Sequence, residues 1–211
     1  MPGAGSVIAS VLVAYAVGGI PIGVLVAQAQ GVDIRRQGSG NIGASNVLRT
    51  LGTKAGIIVW LADVVKGLLP VVGARLALGG SEPLLSLVGL SAVVGHCFSP
   101  YLKLQGGRGV STSLGVLLAL DWRVGLSAFA VWLLVVVGTR YISLASILAA
   151  VSGPILFALY ADSRYYLALG VGVALLLIER HRPNIRRLLA GTETKLGQKA
   201  GSMPGEANDG T

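Results

Sequence analysis

Arginine forks beside glycine-rich turns are suited to holding phosphate, and this chain of 211 residues carries that combination twice. The first is Gly38-Ser-Gly-Asn-Ile-Gly-Ala-Ser-Asn46, followed by Arg49. Gly38 and Gly40 free the backbone to aim N–H groups at an anion, with Ser39, Asn41, Ser45 and Asn46 as polar company. The second runs from His96 to Gly109 and ends Gly106-Gly-Arg-Gly109, just before a helix opening with Val110, Ser111 and Thr112. Donors at a helix N-terminus and the local dipole favour an anion there, and Arg108 adds a full charge. A third cluster, Arg180-His-Arg-Pro-Asn-Ile-Arg-Arg187, sets His181 and Asn184 three apart. They share a face if the preceding helix continues; Pro183 opposes continuation but suits a new helix start. His96 reads first as a hydrogen-bonded packing residue, with a base as the lesser alternative. The bland counterpart for all three clusters is a set of polar turns on positively charged loops.

Several chemistries are excluded by residue type and spacing. Gly38-Ser-Gly-Asn-Ile-Gly43 has the glycine spacing of a dinucleotide loop, yet no strand precedes it and Asp63, the acidic residue some way on, sits in an apolar run. The second glycine cluster lacks the Lys and hydroxyl of a nucleotide P-loop. Two histidines and one cysteine supply no zinc set, and neither H-E-x-x-H nor G-x-S-x-G occurs, so neither metal nor cofactor is expected. A histidine–aspartate acyltransferase pair five apart is absent, because Tyr101 follows His96 and Arg186 follows His181 at that spacing. Cys97, alone, forms no disulfide framework. Nucleic acid is not an expected partner, since the basic residues are dispersed without a stacking platform or recognition helix.

The elements that must position these clusters are membrane helices. Apolar residues make up 53% of the chain and charged residues 12%, a balance that excludes an ordinary soluble domain. A hydrocarbon core of about 30 Å needs about 20 apolar residues per helix. The expected spans are 6–29, 55–78, 84–101, 110–120, 124–138, 142–160 and 165–178, giving an all-α polytopic protein of about seven transmembrane helices. The fourth is too short to cross alone and must tilt, extend into its loops or start partway in. Asp63 and Lys66, three apart inside the second span, are expected to neutralise one another. No cleavable leader is read, as the first charge is Asp33. Residues 1–196 read as one integral-membrane domain, and 197–211 as a disordered tail.

Alternate loops divide the seventeen Lys and Arg unevenly. Arg35, Arg36, Arg49, Lys54, Lys103, Arg108, Arg140, Arg180, Arg182, Arg186, Arg187, Lys195 and Lys199 fall on one side, thirteen in all, against Arg75, Arg123 and Arg164 on the other. The positive-inside rule then sets the N-terminus outside and the C-terminus in the cytoplasm, with all three clusters on the cytoplasmic face.

At these residues the chain resembles the bacterial acyl-phosphate:glycerol-3-phosphate acyltransferases, the PlsY family. One family motif looks like Ser39-Gly-Asn-Ile-Gly-Ala-Ser-Asn-Val-Leu-Arg49, a second like Gly95-His-Cys-Phe98 through Gly106-Gly-Arg-Gly-Val110, and a third like Arg180-His-Arg-Pro-Asn-Ile185 with Gly191-Thr-Glu193. Asp63-Val-Val-Lys-Gly67 and Arg140-Tyr-Ile-Ser-Leu-Ala-Ser146 also fit. The resemblance implies acyl transfer from acyl phosphate to the 1-hydroxyl of sn-glycerol 3-phosphate, without acyl-CoA or acyl carrier protein, at the cytoplasmic face of the bacterial inner membrane. It implies Ser39, Arg49, His181 and Asn184 as catalytic and Glu193 as structural. Gly38, Gly40, Asn41, Asn46, His96, Gly106, Gly107, Arg108, Gly109, Thr112 and Ser143 become the substrate-binding candidates. Membrane lipid and a soluble acyl-phosphate-producing enzyme of the PlsX type are the candidate partners. The chain departs from the family pattern at Ser45, where Thr is usual, and at Leu104-Gln-Gly-Gly-Arg108, where Phe-Lys-Gly-Gly-Lys is usual, with Lys103 nearby to restore charge. Altered phosphate affinity is expected, because a planar fork and a point charge differ in geometry. A transporter of phosphorylated solutes, or a membrane scaffold, remains open on the residues alone.

Overall fold

Apolar length decides the architecture. A computed structural model describes residues 3–198, and these are helical with no strand. The tail expected to be disordered lies outside the described residues from position 199 onward. α1 (Ala4–Gly19) and α2 (Ile22–Gln28) make one broken span, and the short α3 (Ala44–Leu51) follows a glycine-rich segment. Next come α4 (Thr53–Leu78), α5 (Glu82–Cys97), α6 (Val110–Leu120), α7 (Trp122–Thr139), α8 (Ile142–Tyr160), α9 (Arg164–Arg180) and α10 (Arg182–Leu189). Ala4–Gln28, Thr53–Leu78, Glu82–Leu102, Trp122–Thr139 and Ile142–Tyr160 are long and apolar enough to cross a membrane. α6 and the 17-residue α9 complete the seven expected apolar segments. Leu134 and Val137, each 73% exposed, face outward, as lipid contact requires.

α6 has the bounds its sequence suggested, and its 11 residues reach only about 17 Å. It starts partway in. The loop before it folds back along the last turn of α5, with the N–H groups of Gly106 and Gly107 donating to the carbonyls of Cys97 and His96 at 3.1 and 3.0 Å.

The break between α1 and α2 explains a charge deep in the bundle. The helix breaks at Pro21, so the Gly19 and Ile20 carbonyls that end α1 lose the donors four residues on that a continuous helix would supply. The Ser99 hydroxyl donates to the Gly19 carbonyl at 2.6 Å, and Lys66 Nζ to the Ile20 carbonyl at 2.7 Å. Lys66 also pairs with Asp63 at 2.8 Å, the mutual neutralisation expected from their spacing. This cation therefore holds a kinked helix to α4.

α4 and α6 cross where each offers a glycine. A Cβ on Gly67 would overlap the Thr112 carbonyl, and one on Gly115 the Val64 carbonyl. Such small residues let backbones meet when lipid supplies no hydrophobic contrast. One end of the bundle gathers the segment between α2 and α4, the α5–α6 loop, Arg140 and the described residues after α9. Arg180 reaches Gly106 and Gly107, and Leu196 pairs with Arg140. The opposite end is tied by Ser163 to Glu82 and by Arg123 to the Tyr160 carbonyl.

Replacing Lys66 by Met leaves the Asp63 carboxylate without its cation and the Ile20 carbonyl with the Ile22 N–H as its remaining donor. Loss of one member of a buried pair costs about 3–5 kcal/mol. Thermal unfolding in lipid nanodiscs is expected to show a midpoint several degrees lower for Lys66→Met, with part of the loss recovered in Asp63→Asn/Lys66→Met. Equal midpoints for Lys66→Met and wild type would contradict the role of this pair.

Candidate active site

A cavity of about 370 Å³ opens at the end where the polar loops gather, within the size range of small-molecule sites. Its polar end is lined by Asn41, Ser45, Arg49, Arg108, His181, Asn184 and Glu193. From there it runs between α6, α7, α8 and α9 over Leu114, Leu117, Phe129, Trp132, Ala149 and Val173. One cavity thus joins a charged head to an oily groove.

Asn46, fully buried, builds the first wall of the polar end. Its Oδ1 accepts the Ser39 N–H at 2.9 Å, and its Nδ2 is directed at the carbonyls of Ile34, Gln37 and Asn41 at 2.9–3.3 Å. Gly38 sits at φ +56° against this amide, where a side chain would collide. The loop ends at the N-terminus of α3, whose Gly43, Ala44 and Ser45 line the cavity, and Arg49 projects one turn later.

Arg180 fixes the second wall by donating to the carbonyls of Gly106 at 2.8 Å and Gly107 at 3.0 Å while stacking over Phe98. Gly107 lies so close to the His96 imidazole that any Cβ would overlap it. Gly109, at φ +85°, caps α6, whose first N–H groups have no helical acceptor. Arg108 is left facing the cavity.

α9 stops at His181 and α10 begins with Pro183 in its first turn, so the new-start alternative holds and no continuous face forms. His181 and Asn184 are nonetheless both buried on the cavity wall. His181 Nδ1 lies 2.7 Å from the Leu177 carbonyl. A carbonyl only accepts, so Nδ1 carries the proton and a neutral ring keeps Nε2 as an acceptor. Glu193 is the hub. Its Oε1 accepts from Ser143 Oγ and Asn184 Nδ2, both at 2.7 Å, and its Oε2 from Arg187 Nε at 2.6 Å. Asn184 Oδ1 is buried with no partner among the described residues.

Charge at this end is unbalanced. Burial pushes Arg108 down to about 10, with Arg187, Arg49 and Arg180 acting in the same direction and Glu193 against them. Burial likewise lowers Arg49, and Arg187 adds to it while Glu193 opposes. Burial would raise Glu193, but its hydrogen bonds from Ser143, Asn184 and Arg187 hold it below the usual carboxylate value. Of the two carboxylates lining the cavity, Asp63 is matched by Lys66, so several permanent cations face Glu193 alone in a partly dry pocket, an arrangement that an added dianion would relieve.

The structure brings Asn41, Arg49, His96, Arg108, Gly109, Ser143, His181 and Asn184 to the cavity wall. It leaves Gly38, Ser39, Gly40, Asn46, Gly106, Gly107 and Thr112 off that wall. Ser39 is exposed on the loop that Asn46 holds. The expectation that Gly106 and Gly107 offer N–H groups to an anion is corrected, because both donate to α5. Thr112 is buried at the α4–α6 crossing against Gly67. Lys103 and Gln105 are exposed and off the wall, so the lysine lost at Gln105 is not lost from the cavity. Sequence reasoning missed the loop-holding part of Arg180. The arginine-rich run was the available signal, but its partners lie on other segments.

A sequence profile described as glycerol-3-phosphate acyltransferase matches residues 8–191. The chain belongs to this family. The glycerol-3-phosphate acyltransferase of Geobacter sulfurreducens is 48% identical over 183 residues, 87% of this chain and 94% of that one. That of Rubrobacter xylanophilus is 44% identical over 191 residues, 90% and 96% of the two chains. The crystal structure of PlsY, an integral membrane glycerol 3-phosphate acyltransferase, in its glycerol 3-phosphate form superposes with a TM-score of 0.88 at 40% identity, covering 91% of this chain and 96% of that one. Its lysophosphatidic acid form gives 0.85 at 38% identity, with the same coverage. The family and the all-helical membrane fold agree with the resemblance seen in the motifs.

Burial pushes His181 down to about 4 from the usual 6.5, and Arg108 and Arg180 push the same way against the bond to Leu177. Between those values the unfolded chain binds a proton that the folded chain does not. This group therefore subtracts stability as pH falls from about 6.5 to about 4, and has no such effect above that window. Imidazole ¹⁵N shifts in nanodiscs, with His96→Asn leaving a single ring, are expected to report neutral His181 protonated on Nδ1 from pH 8 to about 5. A ring titrating near 6.5 would contradict this environment.

Proposed function

We propose that the chain transfers a fatty acyl group from an acyl phosphate to the 1-hydroxyl of sn-glycerol 3-phosphate, giving lysophosphatidic acid and inorganic phosphate. The observation that carries this reading is the single cavity whose arginine-rich end continues into an apolar groove. It suits two phosphorylated groups at one end and an alkyl chain at the other. The family relationship supports the same assignment, since the similar solved protein is described in glycerol 3-phosphate and lysophosphatidic acid forms.

An acyl phosphate is already an activated mixed anhydride, so the main task is to bring two anions together in reacting geometry. Arg49 and Arg108 offset their charge, and the uncapped starts of α3 and α6 add N–H donors. The hydroxyl oxygen bonds to the acyl carbon as the bond from that carbon to the phosphate oxygen breaks. The hydroxyl proton leaves with the departing phosphate, and no covalent acyl-enzyme is required. The attacking hydroxyl donates to Nε2 of neutral His181, which takes up that proton and passes it to the departing phosphate, and the unpartnered Oδ1 of Asn184 accepts a hydrogen bond from the other hydroxyl of the glycerol part. Ser39, exposed and off the cavity wall on the loop that Asn46 anchors, would have to turn inward to reach the phosphates. Ser143, which bonds Glu193, acts by fixing the wall.

This reading sets the mouth of the cavity on the cytoplasmic face of the bacterial inner membrane, with the N-terminus outside. The uneven division of Lys and Arg between the two ends supports it. Residues 1–196 act as one membrane domain, and a soluble acyl-phosphate-producing enzyme would deliver donor at the basic loops.

Purified protein in nanodiscs is expected to convert palmitoyl phosphate and glycerol 3-phosphate to lysophosphatidate with one phosphate released per turnover. Palmitoyl-CoA and palmitoyl acyl carrier protein are expected to give none. Arg49→Ala and Arg108→Ala should each lower kcat/KM by about 10²–10³-fold, as removal of a preorganised charge-stabilising donor does. Product from the thioesters at a comparable rate, or none from acyl phosphate, would overturn the donor assignment.

A further inference from the structure

The geometry assigns Gly153 as the residue that sets how long an acyl chain the cavity accepts. This rests on the acyl-transfer reading above and adds to it a limit on substrate length. Five glycines line the cavity: Gly43, Gly56, Gly109, Gly153 and Gly170. A Cβ on four of them would meet other atoms, whereas one on Gly153 would meet nothing within 4 Å, although Gly153 is buried. A buried glycine with open space over it marks internal void. Here that void is the far end of the groove.

Its distance from the chemistry follows from helix geometry. Ser143, bonded to Glu193 at the polar end, and Gly153 are ten residues apart on α8, which is about 15 Å of rise. Ser146, Ala149 and Ala150 line the stretch between them, at the spacing of one helix face. On α9 the wall descends from His181 through Leu177 and Val173 to Gly170 and Leu169. Beyond Gly153 the groove is shut. Gly170 lies 3.0 Å from Pro154 and 3.1 Å from Phe157, measured to its absent Cβ, and Phe157 is fully buried against Tyr166 with ring centroids 5.6 Å apart. An extended alkyl chain with bonds of about 1.5 Å zigzags and advances about 1.25 Å per carbon, so a groove of about 15 Å takes about a dozen carbons and the methyl end of a longer chain must use the space over Gly153.

The occupant is the tail of the acyl donor or of the lysophosphatidate product, a single alkyl chain with a phosphate head. The absence of a side chain at position 153 leaves room for its last methylenes. A Leu there fills that room without touching the polar end.

The test measures binding of lysophosphatidic acids with 10-carbon and 16-carbon chains to wild type, Gly153→Ala, Gly153→Leu and the control Gly172→Leu in nanodiscs. Gly172 lies on α9, has open space over it and lines no part of the cavity. The expected result is a fall of about tenfold or more in the 16-carbon to 10-carbon affinity ratio for Gly153→Leu, a smaller fall for Gly153→Ala, and none for the control. Glycerol 3-phosphate affinity should stay unchanged in all four. An unchanged ratio in Gly153→Leu, or equal loss at both chain lengths, overturns the assignment. Because lysophosphatidate is the product whichever donor is used, the result is independent of the donor. Wild type that shows this ratio shift on substitution yet makes no product from acyl phosphate sinks the donor reading and leaves the groove standing.

Discussion

The Glu193 carboxylate is the interaction on which the polar end of the cavity depends. It arrives on the segment after α10 and is held by Ser143 from α8 and by Asn184 and Arg187 from α10. Three separate pieces of chain are closed around one anion. Buried carboxylates persist when hydrogen-bonded and paired; removing Ser143 or Asn184 takes a hydrogen bond from Oε1, and removing Arg187 leaves the charge without its paired cation. The same segment is pinned beyond Glu193, where the Arg140 side chain and carbonyl pair with Leu196.

One carboxylate does not balance the arginines around it. Arg49 and Arg108 approach from other segments, and Arg180 is occupied by the carbonyls of the second glycine loop. The fold thus spends hydrogen bonds on holding glycine loops and a carboxylate in place while leaving positive charge directed inward. Such preorganisation lets bound phosphates be stabilised without rearranging the protein at the moment of reaction. In the proposed reaction the apolar groove would fix the other substrate by its tail, and acyl transfer would follow from placing an activated donor beside a hydroxyl.

Much of this was legible in the chain. Apolar length gave the spans, and α6 and α8 fall at the expected bounds, because a hydrocarbon core imposes a length that sequence must satisfy. The spacing of Asp63 and Lys66 gave their pairing. Spacing alone did not give the reason for Lys66, which lies 46 positions away at the Ile20 carbonyl. Arg180 and Gly106 are 74 apart, and Ser143 and Glu193 are 50 apart. Such partners are set by packing and leave no local pattern. α3 was also hidden, since it is amphipathic but only eight residues long, too short to stand out from the glycine-rich turn before it. Of the polar residues in that turn, Asn46 looked like a ligand and is instead the strut of its own loop.

The arginines around Glu193 outnumber that carboxylate and form a site that is incomplete without a phosphate. Calorimetric titration of sn-glycerol 3-phosphate into the nanodisc-embedded protein, with no acyl donor present, tests it most directly. The account predicts saturable binding at one site, no detectable binding of glycerol, and affinity at least about tenfold weaker in Arg108→Gln. Equal heats for glycerol and glycerol 3-phosphate, or wild-type affinity in Arg108→Gln, would contradict it.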